Sequence, residues 1–408
     1  PGNDVVRNDK IVPTGRNMHA LDPYRIPTAA AINSAQTLVD RMLQRLAADN
    51  GGALPETVAM VLWGTDNLKS DGEGIAQCLY LLGTRPLEDE LGNIADVELI
   101  PLAELGRPRL DIVVTISGIF RDLFHHQSGL IDKAVRLAAN ADEPLDQNFV
   151  RAHTLAHAQE LGISADDAAS RVFCNESGQY GASVNYMVES SNWEDDSELS
   201  DIFMTRKSFA YRDGGWQGAR EVMERSLSTV GAAFQNIDSF EMGISDVDHY
   251  YEYLGGVTKS VEKLNGGQRP PVMVADAISL EDRLSSLEQM VRLESRAKLL
   301  NPKWYEAMLD HGYEGVSEIH HRVSNTYGWS ATADAVEGWV YDDVANTFIL
   351  DDEMRHRMAE ANPHATSGIV GRLLEANGRG FWDADDAMIE RLRDVYGNLE
   401  DQLEGVPA

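Results

Sequence analysis

Apolar and polar positions divide the chain into an alternating first part and a mainly helical remainder. Helical spacing predicts a helix over 29–48, "ETVAMVLWG" reads as a buried strand ending at a glycine, and "GEGIAQCLYLLG" as a helix stopped at Gly83. A second apolar run, "DIVVTISG", precedes a long helical stretch over 119–140. Strand, helix, strand and helix at this spacing predict βαβ units, hence an α/β fold with a parallel sheet and helices on its faces. Ligands of such sheets gather at the carboxyl ends of the strands. "WGTDN" (63–67) and "SGIFRD" (117–122) are therefore expected at a binding edge.

Beyond 147 the pattern predicts helices over 147–161, 197–210 and 218–230. Two short apolar stretches, "VGAAFQNID" and "PPVMVAD", flank "ISDVDHYYEYLGG" (244–256), which places His249 in a loop between a strand and a helix. After 278 nearly everything reads as helix: "LEDRLSSLEQMVRLESRAKLL" and "DAMIERLRDVYGNLEDQLEGV" both carry amphipathic spacing. Three regions follow: an α/β domain over 1–145, part of a larger body domain; a mixed α/β region over 146–275 carrying the candidate site; and a helical C-terminal region over 276–408. Linkers are expected at 140–147 and 263–271. Residues 1–30 have no clean period, and the start at Pro1 reads as a piece of a longer polypeptide.

Composition adds two constraints. The 408 residues, 43% hydrophobic and 25% charged, describe a globular protein large enough for two or three domains. With 35 Lys and Arg against 66 Asp and Glu, the formal charge of −31 repels nucleic acid and anionic lipid. The same excess is what a salt-rich cytoplasm favours. Cys78 and Cys174 form no metal or disulfide motif, which points to a reducing, cytoplasmic setting. No apolar run approaches the roughly 20 residues that span a bilayer.

Several motifs invite chemistry. "GGVTKS" (255–260) lacks the spacing of a phosphate loop and reads as a glycine turn opening a helix. His153 and His157 share a helix face at zinc-ligand spacing, but without the glutamate of H-E-x-x-H they read as a solvated face; the pairs His125–His126 and His320–His321 read as surface or packing residues. Polar clusters recur in glycine-rich turns: Thr65, Asp66 and Asn67; Glu176, Ser177 and Tyr180; Gln235, Asn236 and Asp238. Each alone is an ordinary turn or cap. Together, with aromatic neighbours, they suit a pocket for a flat, largely apolar ligand. Arg206 and Lys207 beside Phe209 and Tyr211 offer a docking point for a ligand carboxylate, or else surface ion pairs.

In order along the chain, "PTGRNMHALDP", "LWGTDNLKSDGEGIAQCLYLLG", "GRPRLDIVVTISGIFRDLF", "RVFCNESGQYGASVNYMVESSNWEDDSELSDIFMTRKSFAY", "AAFQNID", "LNPKWYEAMLDHGYEGVSEI", "NTYGWSAT" and "LLEANGRGFW" resemble the C-terminal part of the large (H) subunits of magnesium chelatase, a family that includes the large subunit of aerobic cobaltochelatase. The stretch through Arg206, Lys207 and Ser208, and His249 itself, favour the magnesium branch, with "DHYYEYLGG" closest to the bacteriochlorophyll-making type.

The resemblance implies a porphyrin-binding subunit for ATP-driven insertion of Mg2+, as substrate, into protoporphyrin IX. ATP would be hydrolysed by AAA+ motor subunits (I and D), and a downstream methyltransferase is a further expected partner. Insertion needs a base for two pyrrole protons, a role suited to an imidazole of pKa about 6.5. Magnesium prefers oxygen ligands. His249, Glu252 and Asp248 are the expected catalytic groups, Asp246 and Asp248 the expected guides for the metal. Arg206 and Lys207 are expected to meet the propionates, with Tyr180, Glu176, Asp66, Gln235 and Asn236 lining the pocket. The alternatives are a cobaltochelatase subunit and a non-catalytic porphyrin sensor or carrier.

Overall fold

A computed structural model describes residue 12 and residues 22–195, 197–237, 242–276 and 283–406. The chain divides into two compact units, one made of Pro1–Val184, Trp193–Glu241 and Glu252–Ser286, the other of Asn185–Asn192, Met242–Tyr251 and Leu287–Ala408. The sequence boundaries at 145/146 and 275/276 both fall inside the first unit.

The first unit is α/β. Its strands are β1 (Thr57–Leu62), β2 (Thr84–Glu88), β3 (Ile94–Leu99), β4 (Asp111–Ile116), β5 (Val172–Cys174), β6 (Phe209–Arg212), β7 (Gly215–Gly218), β8 (Val230–Ile237), β9 (Val272–Asp276) and β10 (Arg283–Ser286). Eight form one sheet in the order β10-β9-β8-β1-β4-β5-β6-β7, while β2 and β3 make a separate hairpin. The pairs β1–β4, β1–β8, β4–β5 and β8–β9 are parallel, and both flanks end in antiparallel strands. Every residue of β1 and β4 is buried, as expected of Val- and Ile-rich strands covered on both faces.

Helix Ala29–Asp49 lays Leu38, Val39, Met42 and Leu46 on a core that includes Met60, Val114 and Phe234. The thiols of Cys78 and Cys174 are buried and free. Burial pushes the pKa of Cys78 well above the ordinary thiol range, so it behaves as a small apolar side chain.

Sequence spacing and structure part company where tertiary pairing decides. The helix expected over 197–210 stops at Lys207, and "FAYRDGGWQG" folds into the β6–β7 hairpin around Asp213 and Gly214, both at positive φ. The helix expected from 280 begins at Leu287, because 283–286 pair with β9 as an edge strand. His153 and His157, read as a solvated face, are buried. Their helix, Phe149–Leu161, packs where β1 and β4 begin, and His153 Nδ1 lies 3.0 Å from Oδ2 of the buried Asp111. The "GGVTKS" stretch continues a π-turn, Tyr251–Gly255, into helix Gly256–Leu264. A Cβ on Gly256 would lie 2.4 Å from the Phe203 ring, which accounts for the glycine without any phosphate.

The second unit is helical. Its central helix, Tyr313–Ala333, is buried continuously from Arg322 onward and packs against Pro363–Gly378. The C-terminal helices also hold two segments from the middle of the chain. Trp329 Nε1 donates to Ile244 O at 2.9 Å, Asn325 Nδ2 to Ser245 O at 3.0 Å, and Arg372 to Val188 O at 3.0 Å.

Candidate functional site

In the α/β unit the chain enters the sheet at β1, builds outward through β4 and β5, then returns to the opposite side of β1 with β8 and β9. The connections therefore reverse between β1 and β8. In open parallel sheets a crevice forms outside the carboxyl ends at such a point.

Polar side chains converge there. Trp63 follows β1, and its indole N–H donates to Oε1 of the buried Gln235 on β8 at 3.2 Å. On the opposite face of β8, Asn236 Nδ2 lies 3.3 Å from Asp66 Oδ2 and its Oδ1 accepts from Gln77 Nε2 at 3.1 Å. Asp66 is in the first turn of helix Gly64–Lys69, where a carboxylate is favoured by the helix dipole. Among the described residues, the buried Gln235 Nε2 and Gln77 Oε1 have no hydrogen-bond partner, and such atoms are costly to leave so.

A second cluster adjoins at the ends of β4 and β5. Ser117 caps helix Gly118–Leu123 by accepting from Phe120 N at 3.1 Å, and accepts from Gly64 N at 3.3 Å, tying two strand ends together. A Cβ on Gly118 would lie 2.1 Å from the Tyr180 ring, so only glycine lets Tyr180 lie over this helix start. The exposed Tyr180 donates its hydroxyl to Asp122 Oδ2, and the Arg121 guanidinium lies 5.0 Å from its ring centroid. Arg121 also donates to the carbonyls of Glu176 and Gln179, and Arg206 donates to Gln179 Oε1 at 2.9 Å. Glu176 is exposed and accepts from Gln179 Nε2 at 3.0 Å.

Beneath this loop Lys207 is fully buried. Its Nζ donates to Asn175 Oδ1 at 2.6 Å and lies 3.7 Å from the centroid of the Tyr253 ring. Burial lowers the lysine pKa to about 7, a fall opposed by Glu252. Burial, then Glu252, raises the Tyr253 phenol well above its usual range. Glu252, also fully buried, accepts from the amides of Ala182 and Ser183. The Tyr253 ring meets Trp63 at 4.8 Å between centroids, which joins the two clusters into one rim.

In the helical unit, Asp246 is held in ion pairs with Lys298, 2.6 Å away, and with Arg322. Glu294 accepts from Ile244 N at 2.8 Å and Ser245 N at 2.9 Å, so the 243–246 turn is clamped from two sides. Asp248 accepts from Asn185 Nδ2 at 2.6 Å. His249 is exposed, with Nδ1 3.8 Å from Asp248 Oδ1.

Of the residues expected from sequence, Asp66, Gln235, Asn236, Glu176, Tyr180, Arg206, Lys207 and Glu252 share the carboxyl rim of the α/β unit. Asp246, Asp248 and His249 belong to the helical unit. Three have surroundings that differ from the expected ones. Lys207 is sealed from solvent and cannot present its ammonium to a propionate, Glu252 is occupied by loop amides, and Asp246 is neutralised by two cations. Asp238 lies outside the described residues. Among the described residues, no group of three or more His, Cys, Asp or Glu side chains is arranged to hold a metal ion. Sequence reasoning missed Gln77, Asn175, Arg121 and Tyr253. Gln77 carried a usable signal, being the amide in the otherwise apolar run "IAQCLYLL".

The pattern of the CobN/Magnesium Chelatase family matches residues 1–389. The chain belongs to this family. It is 47% identical over 411 residues to the chloroplastic ChlH subunit of magnesium chelatase from Oryza sativa subsp. indica, covering 100% of this chain and 30% of that protein. It is 47% identical over 410 residues to the magnesium-chelatase H subunit of Cereibacter sphaeroides, covering 100% of this chain and 34% of that one. Among solved structures, the catalytic subunit of cobaltochelatase from Mycobacterium tuberculosis superposes with a TM-score of 0.89 at 36% identity, over 93% of this chain and 32% of that one. The chain thus spans about a third of the length of these relatives. Among the described residues, no helix is long and apolar enough to cross a membrane.

Proposed function

We propose that the protein to which this chain belongs is the porphyrin-binding subunit of magnesium chelatase, inserting Mg2+ into protoporphyrin IX for chlorophyll or bacteriochlorophyll synthesis in the cytoplasm. The observation that carries this reading is the 47% identity, across the whole chain, to the H subunits of magnesium chelatases. The carboxyl rim supports it chemically. Tyr180 and the partly exposed Trp63 supply aromatic surface and Arg206 a polar group, while the buried Tyr253, Gln235, Gln77 and Asp66 fix the rim from beneath. A flat, largely apolar macrocycle with polar edges needs both.

In this reading Arg206, partly exposed, takes the propionate role alone. His249 accepts the pyrrole protons and Asp248 offers oxygen to the incoming metal, while Asp246 and Glu252 hold backbone in place. ATP hydrolysis falls to the AAA+ motor subunits (I and D), and the product passes to a methyltransferase. The second reading, a cobaltochelatase subunit, is favoured by the likeness to the Mycobacterium structure.

The deciding experiment uses the full-length protein with each set of motor partners and ATP. Fluorescent magnesium protoporphyrin formed with the magnesium-chelatase motors supports the proposal. Cobalt insertion into hydrogenobyrinic diamide with cobaltochelatase partners, and none of the former, replaces it. Porphyrin quenching of tryptophan with no insertion under either condition identifies a sensor or carrier.

A further inference from the structure

A lysine buried without a carboxylate partner is costly, because its charge leaves water and no opposite charge repays it. Lys207 is such a residue: fully buried, with no acid among the described residues within ion-pairing distance of Nζ. A leucine would fill the same space without that cost.

What the ammonium touches explains its presence. Nζ donates to Asn175 Oδ1 at 2.6 Å in the loop after β5, approaches Ile116 O at the end of β4 at 3.4 Å, and lies over the Tyr253 ring at 3.7 Å. Asn175 in turn donates to Gly181 O at 2.5 Å, closing the loop that carries Glu176 and Tyr180. Glu252, next to Tyr253, receives the amides of Ala182 and Ser183 at the far end of the same loop. The Tyr253 ring continues to Trp63 and through it to Gln235. The amine therefore touches the end of β4, the loop after β5 and the π-turn, and Tyr253 carries the chain of contacts on to Trp63 and Gln235.

We propose that Lys207 is a positioning residue for the carboxyl rim: its buried amine ties the 175–183 loop, Tyr253 and the end of β4 into one block, and the block tightens when the amine loses its proton. The proposal rests on the reading of this rim as the porphyrin face.

The charged groups around Nζ are few. Glu252 on the π-turn favours the proton and Arg121 on the helix after β4 opposes it; the Cys174 thiol on β5 and the Tyr253 phenol, both raised by burial, are uncharged near neutral pH, and burial of the amine dominates, lowering its pKa to about 7. When charged, Lys207 makes charge-assisted bonds to Asn175 and a cation–π contact with Tyr253. When neutral, it keeps the weaker part of each but no longer carries a buried charge, and that larger gain is why burial lowers its pKa.

The test compares the full-length wild type with Lys207→Met and Lys207→Arg. Protoporphyrin IX binding, followed by tryptophan quenching from pH 6 to 9, is expected to strengthen in the wild type as pH rises through about 7. Lys207→Met binds about tenfold more weakly at high pH, the equivalent of one strong polar contact, and shows no such rise. Lys207→Arg keeps the low-pH affinity and also loses the rise, because a guanidinium stays charged.

A second readout needs no ligand. The folded pKa lies below the ordinary lysine value of 10.5, so between the two the unfolded chain binds more protons and stability rises with pH. The urea midpoint of the wild type should rise relative to Lys207→Met from pH 7 upward. A wild type that binds no porphyrin overturns the functional reading, while the urea comparison still tests Lys207. A Lys207→Met protein matching the wild type in both pH dependences overturns the proposal. If that variant fails to fold, Tyr253→Leu replaces it: loss of the ring must move the lysine's titration to lower pH, and an unmoved titration overturns the proposal.

Discussion

The indole N–H of Trp63 donates to Gln235 Oε1 across the parallel β1–β8 pair, where the order of strand connections in the sheet reverses. These residues are 172 positions apart in sequence, and their contact ties the carboxyl ends of β1 and β8 together. Gln235→Leu removes the carbonyl to which the partly buried Trp63 indole N–H donates. The expected loss is about 1–3 kcal/mol, reduced because the unpartnered Gln235 Nε2 disappears too. Urea unfolding measures that part, and weaker tryptophan quenching by protoporphyrin measures the effect on the crevice.

At the opposite edge, Arg171 Nε lies 2.9 Å from Oδ1 of Asp111, and both side chains are fully buried. Arg171→Met leaves the buried carboxylate to His153 and its neighbouring amide, and should cost up to about 3–5 kcal/mol, most of it regained in the double variant with Asp111→Leu. Chemical denaturation of the single and double variants checks this.

The same network sets a pH optimum for stability. Burial pushes Asp111 up, but Arg171 and His153 overcome it and hold the carboxyl at about 2. Its contribution is complete above the ordinary carboxyl value and is lost as pH falls through about 2. His153 is pushed down by burial, but Asp111 and Glu56 outweigh this and leave it above 6.5. Its contribution is complete below 6.5 and is lost as pH rises through the raised folded value. The melting temperature of the wild type should therefore fall relative to that of His153→Gln as pH rises through the raised His153 value.

His249→Ala removes an exposed side chain, and folding stability should change by no more than about 0.5 kcal/mol. Under the proposed mechanism, Mg2+ insertion by the full-length protein falls by a factor of about 10²–10⁴, the usual contribution of a general base, while porphyrin affinity is kept. An unchanged insertion rate removes His249 from the mechanism.

Glu294→Gln tests the clamp on the 243–246 turn. The carboxylate accepts from two backbone amides and from the Ser245 hydroxyl, at 2.5 Å. Bonds to a charged acceptor contribute about 1.5–3 kcal/mol, and an amide cannot accept all three as well. Faster amide exchange at Ile244 and Ser245 should accompany a lower unfolding midpoint.

Some of this was legible from residue order alone. The Val- and Ile-rich runs of β1, β4, β8 and β9 can satisfy their burial only between two helical layers, so an α/β sheet with its ligand edge at "WGTDN" and "SGIFRD" follows from local pattern. The family likewise lies in the order of long motifs. Three kinds of fact depended on tertiary structure. Short strands exist only by pairing: β5 has three residues, and β10 is an edge strand because β9 lies beside it. Strand order, which sets Trp63 against Gln235, comes from the return of β8 to the far side of β1. Burial turned Lys207 and Glu252, and two ion pairs turned Asp246, from expected ligand contacts into supports, because a charged side chain's role depends on what surrounds it in space, and no run of residues encodes that by itself.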